Sequence, residues 1–259
     1  MIWSTSNHQS THSGLIRIIS ILAFWLVGGF FVSRFGVMPG TEWVSILMIL
    51  GIAAISYRAL VRDARMAWVV FLLLSGILAL IFEYVGIHSC VPYGCFVYGS
   101  ALGPKILDTV PWTVFVGWTP LIIGVYAILR TYIQRRWMIV VLWAILLTLA
   151  DMVLDPGAVL LWFWSFAAGG WYYDVPWSNF AGWLVSGSVG ILVATILLRK
   201  TKPTLAWTYS AALSLSFFTW VAVFSGMWLP ALLWWLLLGG YFVYFWGIYN
   251  SYHPGSNIS

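Results

Sequence analysis

The chain alternates between long apolar runs and short polar breaks. A run of about twenty apolar residues is what a helix needs to cross the hydrocarbon core of a bilayer. On that pattern eight spans are predicted, at 15–33, 42–60, 66–88, 111–131, 137–156, 179–198, 205–224 and 229–249. The last two are separated only by SGMWLP, residues 225–230. Strand-like alternation of polar and apolar positions is missing, which argues against a barrel, whereas helices satisfy their own backbone in lipid. The expected fold class is therefore all-α: a polytopic integral membrane protein, with residues 1–259 forming a single transmembrane domain. The polar start, MIWSTSNHQSTHSG, lacks a basic leader and a small-residue cleavage site, so the first run is read as a retained helix.

Composition strengthens this picture. Hydrophobic residues make up 62% of the 259 positions and charged residues only 7%, where a soluble domain carries about 25% charged residues. The net charge of +5 arises from 12 basic and 7 acidic residues. Its placement speaks of topology rather than nucleic acid. Arg17 precedes the first span, Arg58, Arg62 and Arg65 separate spans two and three, Arg130, Arg135 and Arg136 separate four and five, and Arg199, Lys200 and Lys202 separate six and seven. Ten of the twelve basic residues thus share one face, and only Arg34 and Lys105 fall on the other. The positive-inside rule puts that face, and both termini, in the cytoplasm of a multi-pass cell-membrane protein.

The two longest connections, 89–110 and 157–178, then lie together on the outer face, and each runs into a repeated phrase. VPWTVFVGW at 110–118 and VPWSNFAGW at 175–183 share six of nine positions. Proline suits a helix start, tryptophan suits the membrane interface, and the glycine after Phe lets another helix approach. Ser178 or Asn179 is placed to cap the second copy. Each loop also follows a helix bearing an acid near its outer end, Glu83 in LIFEYVGIH and Asp151 and Asp155 in LADMVLDPG. An internal duplication with units at about 66–131 and 137–198 fits this arrangement. Two independent interfacial helix starts would also produce the repeated phrase.

Among the seven carboxylates, Glu42, Asp63, Asp108 and Asp174 fall in or near loops and read as solvated charges. Glu83, Asp151 and Asp155 fall inside predicted spans, where a charge costs about 2.5–3.5 kcal/mol on insertion scales. Asp151 and Asp155 stand four apart, on one helix face. Two carboxylates so close in a poorly solvated place disfavour double ionisation, which leaves an acid able to give a proton away. The blander alternatives are a membrane Asp that bonds a neighbouring helix, and a helix end at Asp155-Pro156. These three acids are the candidate catalytic residues.

The first outer loop holds His88, Cys90 and Cys95, whose spacing fits no zinc motif, so no metal is expected. The two cysteines face the oxidising side, where a disulfide can form, and free small residues are the expected state. Tyr172, Tyr173 and Asn179 in and after the second loop suit interface aromatics and a helix cap as well as they suit a site. With Tyr98, Trp112 and Trp177 they are the candidate substrate-binding residues. Phosphate loops, dinucleotide fingerprints, Ser-His-Asp sets and HExxH are missing, and no cofactor is signalled. The 19 Trp, 16 Phe and 13 Tyr can line a groove for a long flat apolar ligand or simply face lipid.

At these residues a resemblance emerges. FEYVGIHSCVPYGCFVYGSALGPKILDTVPW at 82–112 and DMVLDPGAVLLWFWSFAAGGWYYDVPWSNFAGW at 151–183 resemble the two signatures of the carotenoid biosynthesis membrane protein family, which includes carotenoid hydratases of the CruF type. Cys95 departs from the basic or polar residue expected after PYG. The resemblance implies a hydratase, a carbon–oxygen lyase, that adds water to the terminal double bond of an acyclic carotenoid end group to give a tertiary alcohol. It implies a long apolar carotenoid substrate, a bilayer setting, and other enzymes of carotenoid biosynthesis as partners. Asp151 or Asp155 would donate the proton and Glu83 would handle the water. A carotenoid end-group cyclase or isomerase would begin with the same protonation but add no water. A proton-coupled transporter or lipid-binding scaffold would carry intramembrane acids without making a new product.

Overall fold

The computed structural model describes residues 20–130, except residue 22, and residues 136–252. Arg17, Arg135, the polar start and the last seven residues lie outside that range. The helices are α1 (Ala23–Phe35), α2 (Glu42–Asp63), α3 (Ala67–Ser89), α4 (Val114–Gly117), α5 (Thr119–Arg130), α6 (Arg136–Leu160), α7 (Trp177–Leu197), a 3₁₀ turn at Leu205–Thr208, α8 (Tyr209–Phe224) and α9 (Trp228–Tyr252). Every predicted span overlaps one of these helical segments. Five are long and apolar enough to cross a membrane, and Ala23–Phe35, Val114–Arg130 and Trp228–Gly240 are shorter apolar helices. The protein is an all-α membrane protein. Its outer surface carries the apolar side chains that lipid requires, including exposed Phe24, Leu47, Val70, Ile81, Val141 and Ile196.

Helix α6 is central, packing against α5, α7, α8 and α9. Small residues set the close approaches. A Cβ at Gly157 of α6 would lie 2.8 Å from Phe218 of α8, and one at Gly29 of α1 would lie 2.6 Å from Trp220 of α8. Buried hydroxyls tie α2 to α8. Ser56 Oγ donates to the Trp207 carbonyl at 2.9 Å and accepts the Ser210 amide at 3.0 Å, while Ser210 Oγ donates to the Ile52 carbonyl and accepts the Ser56 amide at 3.0 Å. Each serine completes the backbone bonding of the other's helix, as polar groups in an apolar interior must.

Helix α6 runs through Pro156 rather than ending there. Proline has no N–H to offer the carbonyl four residues back. That carbonyl, on Met152, instead accepts the Tyr172 hydroxyl at 3.0 Å.

The basic clusters gather at one end of the bundle. Arg130 donates to the Arg199 carbonyl at 3.4 Å, and Arg62 reaches Thr204 Oγ1 at 3.1 Å. Asp63, expected to be a solvated charge, is a tethering group in this cluster. It accepts from Arg62 at 2.7 Å, Thr204 Oγ1 at 2.8 Å and Trp207 Nε1 at 2.9 Å, and so joins the end of α2 to the 3₁₀ turn.

At the opposite end the two long loops are knitted together by short strands that the apolar pattern does not predict. Strands β1 (Phe96–Tyr98) and β4 (Trp164–Phe166) pair antiparallel, with Val97 opposite Ser165. Strands β2 (Lys105–Ile106) and β3 (Val110–Pro111) form a second small ladder inside the first loop. Cys90 and Cys95 form a disulfide, correcting the expectation of free thiols. Their separation of five residues allows the loop to fold back on itself at the end of α3.

Candidate active site

Glu83, near the end of α3, is 7% exposed, and Asp151 and Asp155, within α6, are 1% and 2% exposed. The four-residue spacing puts both aspartates on the face that α6 turns to α7. There Asn179, in the first turn of α7, donates from one amide nitrogen to Asp151 Oδ2 at 2.8 Å and to Asp155 Oδ2 at 2.5 Å. Asn179 is therefore not a helix cap, nor is Ser178. Pro176 occupies the N-cap position without a side-chain cap, and Ser178 Oγ donates to the Tyr93 carbonyl at 3.0 Å. Glu83 accepts the Tyr98 hydroxyl at 2.9 Å. Burial first, and the neighbouring Glu83 second, push the Tyr98 phenol well above its ordinary pKa, so it remains a donor. Lys105 donates to the Tyr98 carbonyl at 2.5 Å, which fixes the strand that carries this tyrosine. Among the described residues the only salt bridge is Arg62–Asp63, at the far end of the bundle, so none ties these three acids to a cation.

A cavity of about 420 Å³ opens on this cluster. Glu83, Asp155 and Asn179 reach it, whereas Asp151 stands behind and connects to it through Asn179. Apolar and aromatic side chains make most of its wall, including Phe96, Trp118, Phe163, Trp164, Trp183 and Phe217. Its rim continues to Phe31, Phe35 and Met38 at the end of α1, all more than half exposed.

The repeated phrase converges here. Trp118 closes the first copy and Trp183 the second, and their rings lie 5.7 Å apart on the cavity wall. The glycines of the two copies do different jobs. Gly182 makes room for the ring of Tyr93, to which a Cβ would come within 2.4 Å, and Gly86 of α3 makes room on the ring's other edge at 2.8 Å. Gly117 faces Ile49 of α2 at an ordinary 3.6 Å.

The other candidate residues lie off the cavity. Tyr172 is committed to the Met152 carbonyl, and the Tyr173 hydroxyl accepts the Leu229 amide at 3.4 Å. Trp177 is 61% exposed and stacks near Trp171, and Trp112 lies beside Gly103. Tyr98 is on the cavity. Sequence reasoning missed Tyr93, a buried cavity residue within the PYG turn; two glycines that flank it in space are far apart in sequence and gave no local signal.

Such a site, a buried acid cluster facing an aromatic cavity in a helical membrane protein, coincides with a sequence family. The profile of the carotenoid biosynthesis proteins matches residues 43–241, and the chain belongs to that family. In particular it is 41% identical over 116 residues to the bisanhydrobacterioruberin hydratase of Haloarcula japonica, a stretch that makes up 43% of this chain and 39% of the relative. The match thus spans well under half of that relative's length. No solved structure matches the chain.

Proposed function

We propose that the protein is a carotenoid hydratase that adds water across the terminal double bond of an acyclic end group. The observation that carries this reading is the placement of Glu83, Asp155 and Asn179 on an otherwise aromatic and apolar cavity, with no salt bridge to a cation among the described residues. Family membership and the hydratase relative point the same way.

Hydrating a trisubstituted alkene needs a proton donor in a dry pocket and a base for the incoming water. Asp151 and Asp155, joined through Asn179, act as one proton-holding unit, with Asp155 at the cavity. The proton goes to the less substituted alkene carbon, the π pair forms the new C–H bond, and a tertiary cation remains. The faces of Trp118 and Trp183 stabilise it by cation–π attraction. Water forms the C–O bond and gives up one proton to Glu83. One proton leaves Asp155 and one arrives at Glu83; its return across the cavity to Asp155 resets the site, so the net reaction consumes water alone and needs no redox partner.

The test is to express the chain in cells that make an acyclic carotenoid and to weigh the pigments. A mass gain of one or two waters is expected, and it should vanish in Asp155→Asn and Glu83→Gln. Unchanged pigment across several acyclic carotenoids, with inserted protein, would sink the reading. Full activity in both variants would remove these acids from the mechanism.

A further inference from the structure

Tyr93 is not accounted for by the steps above. It is 2% exposed and lines the cavity that holds Glu83, Asp155 and Asn179. Its hydroxyl is buried and makes no hydrogen bond of ordinary geometry, although the Ser186 hydroxyl, which donates to the Gly182 carbonyl at 3.0 Å, stands near it. A buried polar group left without a partner costs about 1–3 kcal/mol, so it persists where a ligand or a function occupies it. The ring is also held from both edges. Gly86 on α3 and Gly182 on α7 leave room for it and nothing more, and its own carbonyl is fixed by Ser178. This is a rigidly mounted phenol whose hydroxyl, with only the Ser186 hydroxyl near it, keeps room in its bonding for a ligand. Burial, and then the charges of Glu83, Asp151 and Asp155, keep that phenol protonated, so it can donate as well as accept.

A water molecule needs two to four polar partners to be held in a protein interior. The Tyr98 hydroxyl is committed to Glu83 and Asn179 to the aspartates, and Trp118 Nε1, also unpartnered on the wall, can only donate and so cannot accept a hydrogen bond from water. We infer that the Tyr93 hydroxyl binds and aims the water that captures the cation, making Tyr93 the water-positioning residue of the site. This rests on the hydratase reading. Tyr93 Oη holds the water oxygen, the water lone pair forms the C–O bond, and the released proton passes to Glu83. Tyr93 itself is neither oxidised nor deprotonated. Its role is to decide the fate of the cation: with water in place the cation is hydrated, and without it the cation keeps the hydrogen it was given, loses another from a carbon next to the cationic centre, and reverts to alkene.

The experiment uses membranes containing the full chain, an acyclic carotenoid and D₂O, comparing the wild type with Tyr93→Phe. Phenylalanine keeps the ring in the slot between Gly86 and Gly182, so the variant tests the hydroxyl alone. The expected result is a loss of hydration of about a hundredfold while deuterium still enters the recovered, unhydrated alkene at its terminal double bond. That exchange is a readout which a purely structural role would not produce. Asp155→Asn is the contrasting control, in which hydration and exchange should both disappear. Hydration by Tyr93→Phe at the wild-type rate would overturn the inference. So would loss of hydration together with loss of exchange in a variant whose folded yield and melting temperature match the wild type. A folding failure is caught by the same two measurements, and Tyr93→His, a smaller ring that fits the slot and keeps an N–H donor, then separates donor loss from packing loss: partial recovery of hydration supports the inference, and inactivity without exchange in the folded variant opposes it. If the wild type hydrates nothing, the hydratase reading itself falls, and this inference with it.

Discussion

Asn179 holds two carboxyl groups with one amide nitrogen, at 2.8 and 2.5 Å. Replacing it with alanine leaves both aspartates without their donor in an apolar surround, a loss of about 1–3 kcal/mol for each buried group. Thermal unfolding of Asn179→Ala in detergent should therefore begin well below that of the wild type, and its hydration activity should be lost. Asp63 makes a contrasting case at the other end of the bundle. Its bonds to Arg62, Thr204 and Trp207 are structural, so Asp63→Ala should lower the melting temperature while leaving turnover per folded molecule unchanged. At this scale the three intramembrane acids were legible, because a carboxylate inside an apolar run stands out against its cost. Asp63 was misread because two of its three partners, Thr204 and Trp207, stand 141 and 144 positions away, which no local pattern records. The Tyr172 hydroxyl was singled out, but what it does depends on a carbonyl freed by Pro156 on another element.

At the scale of elements, the predicted spans and the observed helices overlap throughout, because apolar length and bilayer thickness are the same constraint. The small ladders of the loops were not legible, since strands of two or three residues carry too little pattern to register. Their pairing nevertheless bears on the proposed duplication. Val97 and Ser165 face each other at the centre of the β1–β4 ladder, and they are separated by the same number of residues as Glu83 and Asp151. The two VPW phrases, and with them Trp118 and Trp183, are instead offset by 65 residues, so one repeat register does not carry both contacts. Helix contacts also supply a test of the tyrosine slot. A methyl group at Gly182 would come within 2.4 Å of the Tyr93 ring, so Gly182→Ala must displace the ring. Hydration by Gly182→Ala should fall at least as far as in Tyr93→Phe, whereas Gly117→Ala, at 3.6 Å from its neighbour, should be nearly silent in the same assay.

For the whole molecule, charge placement and loop chemistry predict one orientation. The basic clusters share one end of the bundle and the Cys90–Cys95 disulfide lies at the other. Cysteines introduced at Lys200 or Lys202 should be protected from an impermeant thiol reagent in intact cells, and one introduced at Asp108 should react. The reverse pattern would invert the topology. Removing the disulfide by Cys90→Ser should cost about 2 kcal/mol, the lower end for so short a loop, visible as a lower melting temperature.

The rim of the cavity has a kinetic consequence. Phe31 and Phe35 of α1 and Met38 just beyond it line it with exposed apolar side chains, so the long apolar ligand proposed above is expected to arrive from the bilayer rather than from water. Its relevant concentration is then a mole fraction among lipids, not moles per litre. Adding buffer to proteoliposomes leaves that quantity unchanged, whereas adding inert lipid by fusion lowers it. Turnover measured against bulk concentration would show a different half-saturation point for every lipid-to-protein ratio, and the curves would coincide once plotted against surface density.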